Sequence, residues 1–307
     1  MPRLEPVAKL PLAVRKNVRD EWESKKEELE KSLSDLLGET WTLEADPASL
    51  YPYGEEGSYG KTSTGSLIYD YFESGIRQIK YFIERNGDDV KAEINSICSA
   101  HVIKIDYDDE KRFTYNGCIV SDGALVMLFE DNYLATNIND VLSTDKFEKA
   151  LNDAPSPSGA PMSFIVRNTI KQDYDAKIGE VQDKINKLLD KEIALEPQFE
   201  ENFAALKAAK DKPDHWEPNV GNFIYLYFDA LAYALNYQKF GEDELLREGF
   251  HEGVESAKVV FRVVDKSKMK ASYNESVIED GVLYLQTSPD NFGTNVSQIA
   301  EKVVDLL

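Results

Sequence analysis

The side chains best placed to do chemistry are tyrosines and acids inside the two most apolar segments of the chain. Each segment carries a tyrosine four residues before an acid, a spacing that puts both on one face of a helix. A second tyrosine stands between them. The candidate residues are Tyr69, Tyr71, Glu73, Tyr225, Tyr227 and Asp229. A carboxylate buried in such a segment would have a raised pKa and could act as a general acid or base, or could anchor a ligand. The alternative is that each tyrosine and acid satisfies the other inside a structural core.

Two long segments between helical patterns form a second set of candidates. The first covers residues 44–65 and the second begins at Glu196. Loops longer than about 12–15 residues often act as lids or binding loops. The first carries Tyr59, and the second carries His215 and Trp216. Because the two segments are unlike each other, we expect one specialised site rather than two equal ones, unless the difference is ordinary drift of surface loops.

Known ion and nucleotide motifs do not fit this sequence. The stretch from Gly54 to Thr62 has Glu55 where a phosphate-binding loop needs glycine. The acidic run Asp106–Glu110 is followed by Lys111 where a calcium loop needs glycine. The chain has only 3 histidines, which disfavours a site with several histidine ligands. We therefore predict no metal and no cofactor, and we leave open whether the protein is an enzyme.

The charge balance limits the classes of partner. The formal net charge is −21, and such a surface repels nucleic-acid phosphates and anionic lipid headgroups. We therefore predict no binding to nucleic acid or membranes, and a partner that is a small apolar or aromatic molecule or a basic protein. The chain has 2 cysteines, Cys98 and Cys118, and no apolar stretch near Met1 that would act as a signal peptide. These features predict a cytoplasmic protein without a disulfide.

The chain also contains an internal repeat. Shifted by 152 residues, Val14–Arg15 matches Val166–Arg167. Shifted by 156 residues, Tyr71–Glu73 matches Tyr227–Asp229, and shifted by 158 residues, Asp122–Gly123 matches Asp280–Gly281. Matches that keep the same order along the chain predict a tandem duplication. We expect repeat units at residues 1–153 and 162–307, joined by a Pro/Ser/Gly linker at 154–161 and related by a pseudo-two-fold axis.

The pattern within one unit predicts its fold class. Apolar spacing predicts a helix over residues 12–37 that ends at Gly38, then a long loop, then a helix over 66–85 buried on all sides. Three strands follow, with Asp122–Gly123 as a hairpin turn, and a C-terminal helix closes the unit. Consecutive strands favour a three-stranded antiparallel meander and an α+β fold.

Three functions remain open from the sequence. The first is a binding protein with a mostly apolar pocket, lined by tyrosine and phenylalanine, within or between the halves. The second is a cofactor-free enzyme that uses a buried carboxylate and tyrosines for acid-base chemistry. The third is an acidic protein-interaction module. No pair of nucleophile and base is apparent, so the sequence favours binding.

Overall fold

A computed structural model describes residues 3–155 and 162–307. Contacts between residues divide the chain into two compact units, residues 1–159 and 160–307, called unit 1 and unit 2 below. Most of the predicted linker, from residue 156 to residue 161, lies outside the described residues. Among the helices that are described, none is both long and apolar enough to span a bilayer.

Unit 1 combines helices with one four-stranded sheet. Its helices are α1 (Leu12–Asn17), α2 (Lys26–Leu37), α3 (Pro47–Leu50), α4 (Tyr59–Thr62), α5 (Thr64–Asn86), α6 (Val90–Ile97) and α7 (Thr144–Asp153). Its strands are β1 (Thr42–Glu44), β2 (Val102–Tyr107), β3 (Asn116–Ser121) and β4 (Ala124–Phe129), in the order β1-β2-β4-β3. A π-helical turn, Val18–Glu23, follows α1 directly.

Unit 2 has a sheet with the same kind of strand order. Its helices are α8 (Phe164–Thr169), α9 (Ile178–Leu189), α10 (Phe199–Ala208), α11 (Val220–Tyr237) and α12 (Glu244–Gly253). Its strands are β5 (Ala194–Glu196), β6 (Lys258–Val263), β7 (Asn274–Glu279) and β8 (Val282–Thr287), in the order β5-β6-β8-β7. A π-helical turn, Ile170–Asp175, follows α8. Both units therefore mix helices with a four-stranded mixed sheet.

The predicted antiparallel meander is wrong. Strand β2 pairs with β4 in parallel, and only β3 and β4 form an antiparallel pair. Strand β4 reads Ala-Leu-Val-Met-Leu-Phe, and such a continuous apolar run suits a central strand that is buried on both faces. It therefore inserts between β2 and β3 and leaves β3 at the edge. In unit 2, β8 takes the corresponding central place between β6 and β7.

The two hairpin turns were predicted correctly. Asp122 and Gly123 have φ of 49° and 74°, and Asp280 and Gly281 have φ of 50° and 71°. Two-residue turns with positive φ at both positions match the twist of the flanking strands. Gly38 also ends α2 in the left-handed conformation, with φ of 79°, as predicted.

Several predicted elements differ from the structure. The long loop at residues 44–65 contains α3 and α4, and helices α6 and α12 were not predicted at all. The helix predicted to be buried on all sides has exposed positions, such as Tyr81 in α5 and Tyr237 in α11, which are 51% and 73% exposed. In unit 2, two 3-10 segments, Val296–Ala300 and Val303–Leu306, stand where a C-terminal α-helix was predicted.

A close backbone crossing fixes the main helix of each unit. A Cβ atom at Gly65 of α5 would lie 2.5 Å from the carbonyl oxygen of Asn17, just before the first π-helical turn. A Cβ atom at Gly221 of α11 would lie 2.2 Å from the carbonyl oxygen of Thr169, just before the second. Real Cβ atoms do not approach so closely, so only glycine permits these crossings.

Candidate functional site

Tyr69 and Tyr225 lie half-buried on the main helices, where each ring contacts a lysine. The Nζ atom of Lys25 lies 5.0 Å from the centre of the Tyr69 ring, and Nζ of Lys177 lies 5.6 Å from that of Tyr225. A lysine over an aromatic face is a stabilising cation–π contact. These two tyrosines therefore tie the main helix of each unit to the preceding helical segment.

Tyr71 and Tyr227 are fully buried, and their hydroxyls have protein partners. The Tyr71 hydroxyl donates to the carbonyl oxygen of Leu134. The Tyr227 hydroxyl donates to Oδ1 of Asn274 over 3.2 Å and accepts from the backbone N–H of Gly293 over 3.0 Å. Burial raises the pKa of Tyr227 to about 12 and also raises the pKa of Tyr71. Both hydroxyls thus stay protonated at neutral pH and act as structural donors.

Glu73 and Asp229 are not enclosed in the core. The Glu73 side chain is 43% exposed, and its Oε2 atom lies 3.0 Å from Nη1 of Arg77, one helical turn away. Asp229 is half-buried. The premise that both copies bury an acid in an apolar helix is therefore not met, because each acid reaches solvent at the helix surface.

The candidate residues of the two long segments belong to different units. Tyr59 is 41% exposed on α4, and its hydroxyl donates to Oδ2 of Asp70 over 2.6 Å. Burial and this hydrogen bond raise the pKa of Tyr59. His215 is exposed, whereas Trp216 is buried in unit 2 with its ring centre 5.4 Å from that of Phe203. Trp216 thus belongs to the core.

A concave surface of unit 1 lies elsewhere, beside the edge strand β3. A groove of about 640 Å³ lies between β3 and α7, and it is called the first groove below. Its lining residues are Arg112, Phe113, Cys118, Ile119, Val120, Asp145, Lys146, Lys149, Ala150, Asp153 and Ala154. None of the nine residues predicted from the sequence lines it. Its volume is typical of a small-ligand site.

The apolar wall of the first groove depends on one buried acid and one glycine. Asp108 is fully buried, accepts a 2.9 Å hydrogen bond from the backbone N–H of Phe113 and lies 3.2 Å from Nη1 of Arg112. This anchors the loop before β3. The Phe113 ring then lies so close to Gly117 that a Cβ atom there would be 2.4 Å from it. Gly117 therefore lets the ring pack flat against the strand.

A lysine supplies a positive charge at this wall. Nζ of Lys146 donates to Oδ1 of Asn116 over 2.8 Å. The amide nitrogen of Asn116 donates to the carbonyl oxygens of Thr136 and Asn137, which fixes Oδ1 toward the lysine. Within residues 3–155 and 162–307, Lys146 forms no ion pair, so its charge has only a neutral partner. An ammonium has three donors, and the remaining ones are available to an anionic group.

Unit 2 has a groove at the corresponding place, but it is built differently. This second groove, of about 470 Å³, lies between β7 and the 3-10 segments that end the unit. At the 158-residue offset, Ala271 aligns with Phe113 and Glu275 aligns with Gly117. Asn274 aligns with Asn116. Its Oδ1 accepts a hydrogen bond from the Tyr227 hydroxyl, whereas Oδ1 of Asn116 accepts one from Lys146. Asn116 and Asn274 therefore make different contacts in the two units.

The charges of the two grooves also differ. The first groove is lined by three basic residues, Arg112, Lys146 and Lys149, and two acidic ones, Asp145 and Asp153. The second is lined by two basic and three acidic residues, namely Lys270, Lys302, Glu275, Glu301 and Asp305. The formal charge is thus +1 around the first groove and −1 around the second, in a chain whose net charge is −21.

The two thiols are not poised to react. Cys98 and Cys118 are free and buried. Burial raises the pKa of Cys98 to about 12 and raises the pKa of Cys118 as well. Since the thiolate is the nucleophile, a thiol that stays protonated at neutral pH is inert. Cys118 therefore contributes apolar surface to the first groove.

Sequence reasoning missed the residues that build the first groove. The internal sequence match singled out positions that both halves share, and the most buried of them, Tyr71 and Tyr227, belong to the cores. These residues could have been found from positions at which the two halves differ, above all Phe113, which aligns with Ala271, and Gly117, which aligns with Glu275. Comparisons with known proteins find no matching family model, no matching curated sequence and no matching solved structure.

Proposed function

We propose that this chain is a non-catalytic binding protein whose ligand occupies the first groove. The ligand has an apolar body, which lies on Phe113, Ile119 and Ala150, and one anionic group, which takes the free donors of Lys146. This keeps the mostly apolar pocket expected from the sequence but places it within unit 1 beside β3. Phe113 is the aromatic residue of its wall.

The observation that carries the proposal is the state of Lys146. Its ammonium lies at an apolar wall with one neutral hydrogen-bond partner, while the neighbouring lysine, Lys149, lies 2.5 Å from Oδ2 of Asp153. Hydrogen bonds to charged groups contribute about 1.5–3 kcal/mol. An anion that reaches Lys146 would gain such a bond without first breaking an ion pair.

The protonation state of the candidate catalytic groups supports binding over catalysis. The pKa values of Tyr59, Tyr71 and Tyr227 are raised by burial, and those of Cys98 and Cys118 are raised likewise. Groups that keep their protons at neutral pH supply neither a phenolate base nor a thiolate nucleophile.

The proposal is tested by titrating the protein with 8-anilinonaphthalene-1-sulfonate, a fluorescent probe with an aromatic body and one sulfonate. Lys146→Gln removes the charge and should raise the dissociation constant about tenfold, which corresponds to roughly 1.4 kcal/mol. Ile119→Glu places a negative charge on the groove and should weaken binding further. The matched controls are Lys302→Gln and Val277→Glu, which make the same changes at the second groove. Equal effects of the paired variants, or no effect of Lys146→Gln, would contradict the proposal.

We also propose that the two units are diverged copies of one ancestral unit. The matched strand orders support this, as do the two π-helical turns, 152 residues apart, and the lysine–tyrosine contacts in each unit. An experimental structure in which residues 14–150 and 166–307 have different topologies would contradict it. The pseudo-two-fold axis, the acidic interaction module and the cytoplasmic location stay predictions.

A further inference from the structure

We infer that the first groove binds an extended peptide segment of another protein, which adds as a fifth strand to the free edge of β3. The inference rests on the proposed function and names the chemical class of its ligand. The segment is mostly uncharged, with apolar side chains at alternate positions and one acidic side chain that reaches Lys146.

Strand β3 lies at an edge of its sheet. The strand order β1-β2-β4-β3 places β3 at one edge, with β4 on its other side. An edge strand presents a row of unpaired N–H and C=O groups that another chain can use. Peptide recognition by strand addition takes its affinity from those backbone groups and its specificity from pockets for alternate side chains.

The register shows which backbone groups of β3 point outward. In an antiparallel pair, hydrogen-bonded and non-hydrogen-bonded positions alternate. The backbone N–H of Glu130 donates to the carbonyl oxygen of Tyr115, so Tyr115 and every second residue after it bond to β4. The positions between them, Asn116, Cys118 and Val120, therefore direct their N–H and C=O groups away from β4.

These outward groups are available where the groove lies. The N–H and C=O groups of Cys118 and Val120 point away from β4, and none of the residues that the structure describes forms a hydrogen bond with them on the outward side. Cys118, Ile119 and Val120 all line the first groove. Strand β3 has 6 residues, which at about 3.3 Å per residue is a length of roughly 20 Å and matches a hexapeptide.

The walls of the groove specify the side chains of the segment. Successive side chains of a docked strand point alternately toward α7 and away from it. On the side of α7, Lys146 offers its ammonium and Ala150, one helical turn later, offers an apolar surface. One acidic side chain and apolar neighbours two residues away from it fit this arrangement. A segment rich in acids is disfavoured, because the whole chain carries a charge of −21.

Unit 2 lacks this combination. At the position of Cys118, the Oγ atom of Ser276 donates to the carbonyl oxygen of Ile299, which ties the 3-10 segment to β7. Glu275 aligns with Gly117, the residue that leaves room for the Phe113 ring in unit 1. In addition, the second groove is lined by more acidic than basic residues. The second groove therefore serves as an internal control.

The experiment uses the full chain and a library of fluorescent hexapeptides, acetylated and amidated at their ends so that only side chains carry charge. Binding is measured by fluorescence polarisation. Val120→Pro removes one outward N–H without a loss to the ladder, since proline is tolerated at such edge positions. Ile278→Pro makes the same change in β7 and is the matched control, both for folding and for binding.

The expected result is binding of peptides with one Asp or Glu and with Val, Ile or Phe two residues away. Val120→Pro, Lys146→Gln and N-methylation of alternate peptide residues should each weaken binding at least tenfold, whereas Ile278→Pro should leave it unchanged. Equal binding to Val120→Pro and the wild type would overturn strand addition. The same conclusion follows if no peptide binds while the naphthalenesulfonate probe still binds in a Lys146-dependent manner, and the proposed function then stands. If neither peptide nor probe binds, both proposals fall.

Discussion

The close crossing at Gly65 and Gly221 gives a prediction about stability that can be worked from the structure. In Gly65→Ala, the new Cβ atom would lie 2.5 Å from the carbonyl oxygen of Asn17 and from Cα of Val18. In Gly221→Ala, it would lie 2.2 Å from the carbonyl oxygen of Thr169. Ordinary van der Waals contacts of a Cβ atom are longer by about 1 Å. The atoms that the new Cβ would meet belong to the backbone, so they cannot be displaced by a side-chain rotation. The two segments must therefore move apart.

The cost follows from overpacking and from a threatened hydrogen bond. Extra methyl groups in a packed interior cost about 1–3 kcal/mol. In addition, the backbone N–H of Gly65 donates to Oδ1 of Asn17 over 2.7 Å, a bond that the movement would stretch. Alanine regains up to about 1 kcal/mol through its better helix propensity. With about 1 kcal/mol for the weakened hydrogen bond, we expect the free energy of unfolding of the altered unit to fall by roughly 1–3 kcal/mol.

Gly179→Ala is the matched control, because Gly179 also lies in a helix but has no atom within 4 Å of the place that a Cβ atom would take. It should stabilise unit 2 by about 0.5–1 kcal/mol. The assay is a urea titration followed by hydrogen exchange and mass spectrometry of peptides from each unit, so that each unit has its own unfolding curve. If Gly65→Ala and Gly221→Ala are as stable as Gly179→Ala, the close crossing is refuted.

Two further predictions concern groups that the sequence singled out. Glu73→Gln should change stability by no more than about 0.5 kcal/mol and leave probe binding intact, because the ion pair with Arg77 is exposed; a loss of binding would restore the predicted site. Burial raises the pKa of Cys98 from 9.0 to about 12. In the unfolded chain this thiol ionises from about pH 9 upward, whereas in the folded chain it stays protonated up to about pH 12. Its contribution to the free energy of unfolding is therefore complete below pH 9 and is lost as the pH rises toward 12. Wild type should therefore lose stability across that window more steeply than Cys98→Ala in urea titrations, and rapid alkylation of the folded protein at pH 8 would contradict this.

Local signals in the sequence predicted local structure well. Gly38 and the Asp-Gly turns require positive φ, and each occurs where the backbone needs it. The strand order was predicted wrongly, because a meander assumes that consecutive strands are neighbours. The continuous apolar run of β4 indicates a central strand instead, since a central strand of a covered sheet buries both of its faces.

The site was harder to predict than the fold for a physical reason. Matched positions such as Tyr71 and Tyr227 are matched because both cores need a buried aromatic residue with a bonded hydroxyl. The lysine of the first groove depends on a different hydrogen-bond arrangement. The Tyr71 hydroxyl donates to the carbonyl oxygen of Leu134, and Oδ1 of Asn116 accepts from Lys146 instead. Such a rearrangement leaves no periodic pattern, so it becomes visible only when distances are known.

The central claim is that the ligand site lies beside β3 and not at the tyrosine and acid pairs of the main helices. Methyl NMR of isotope-labelled protein, titrated with 8-anilinonaphthalene-1-sulfonate, tests it most directly. We predict that the methyl signals of Ile119, Val120 and Ala150 shift together along one saturation curve. Shifts of Ile68 and Ile224, next to the tyrosines of α5 and α11, with no change at Ile119 and Val120 would contradict the claim.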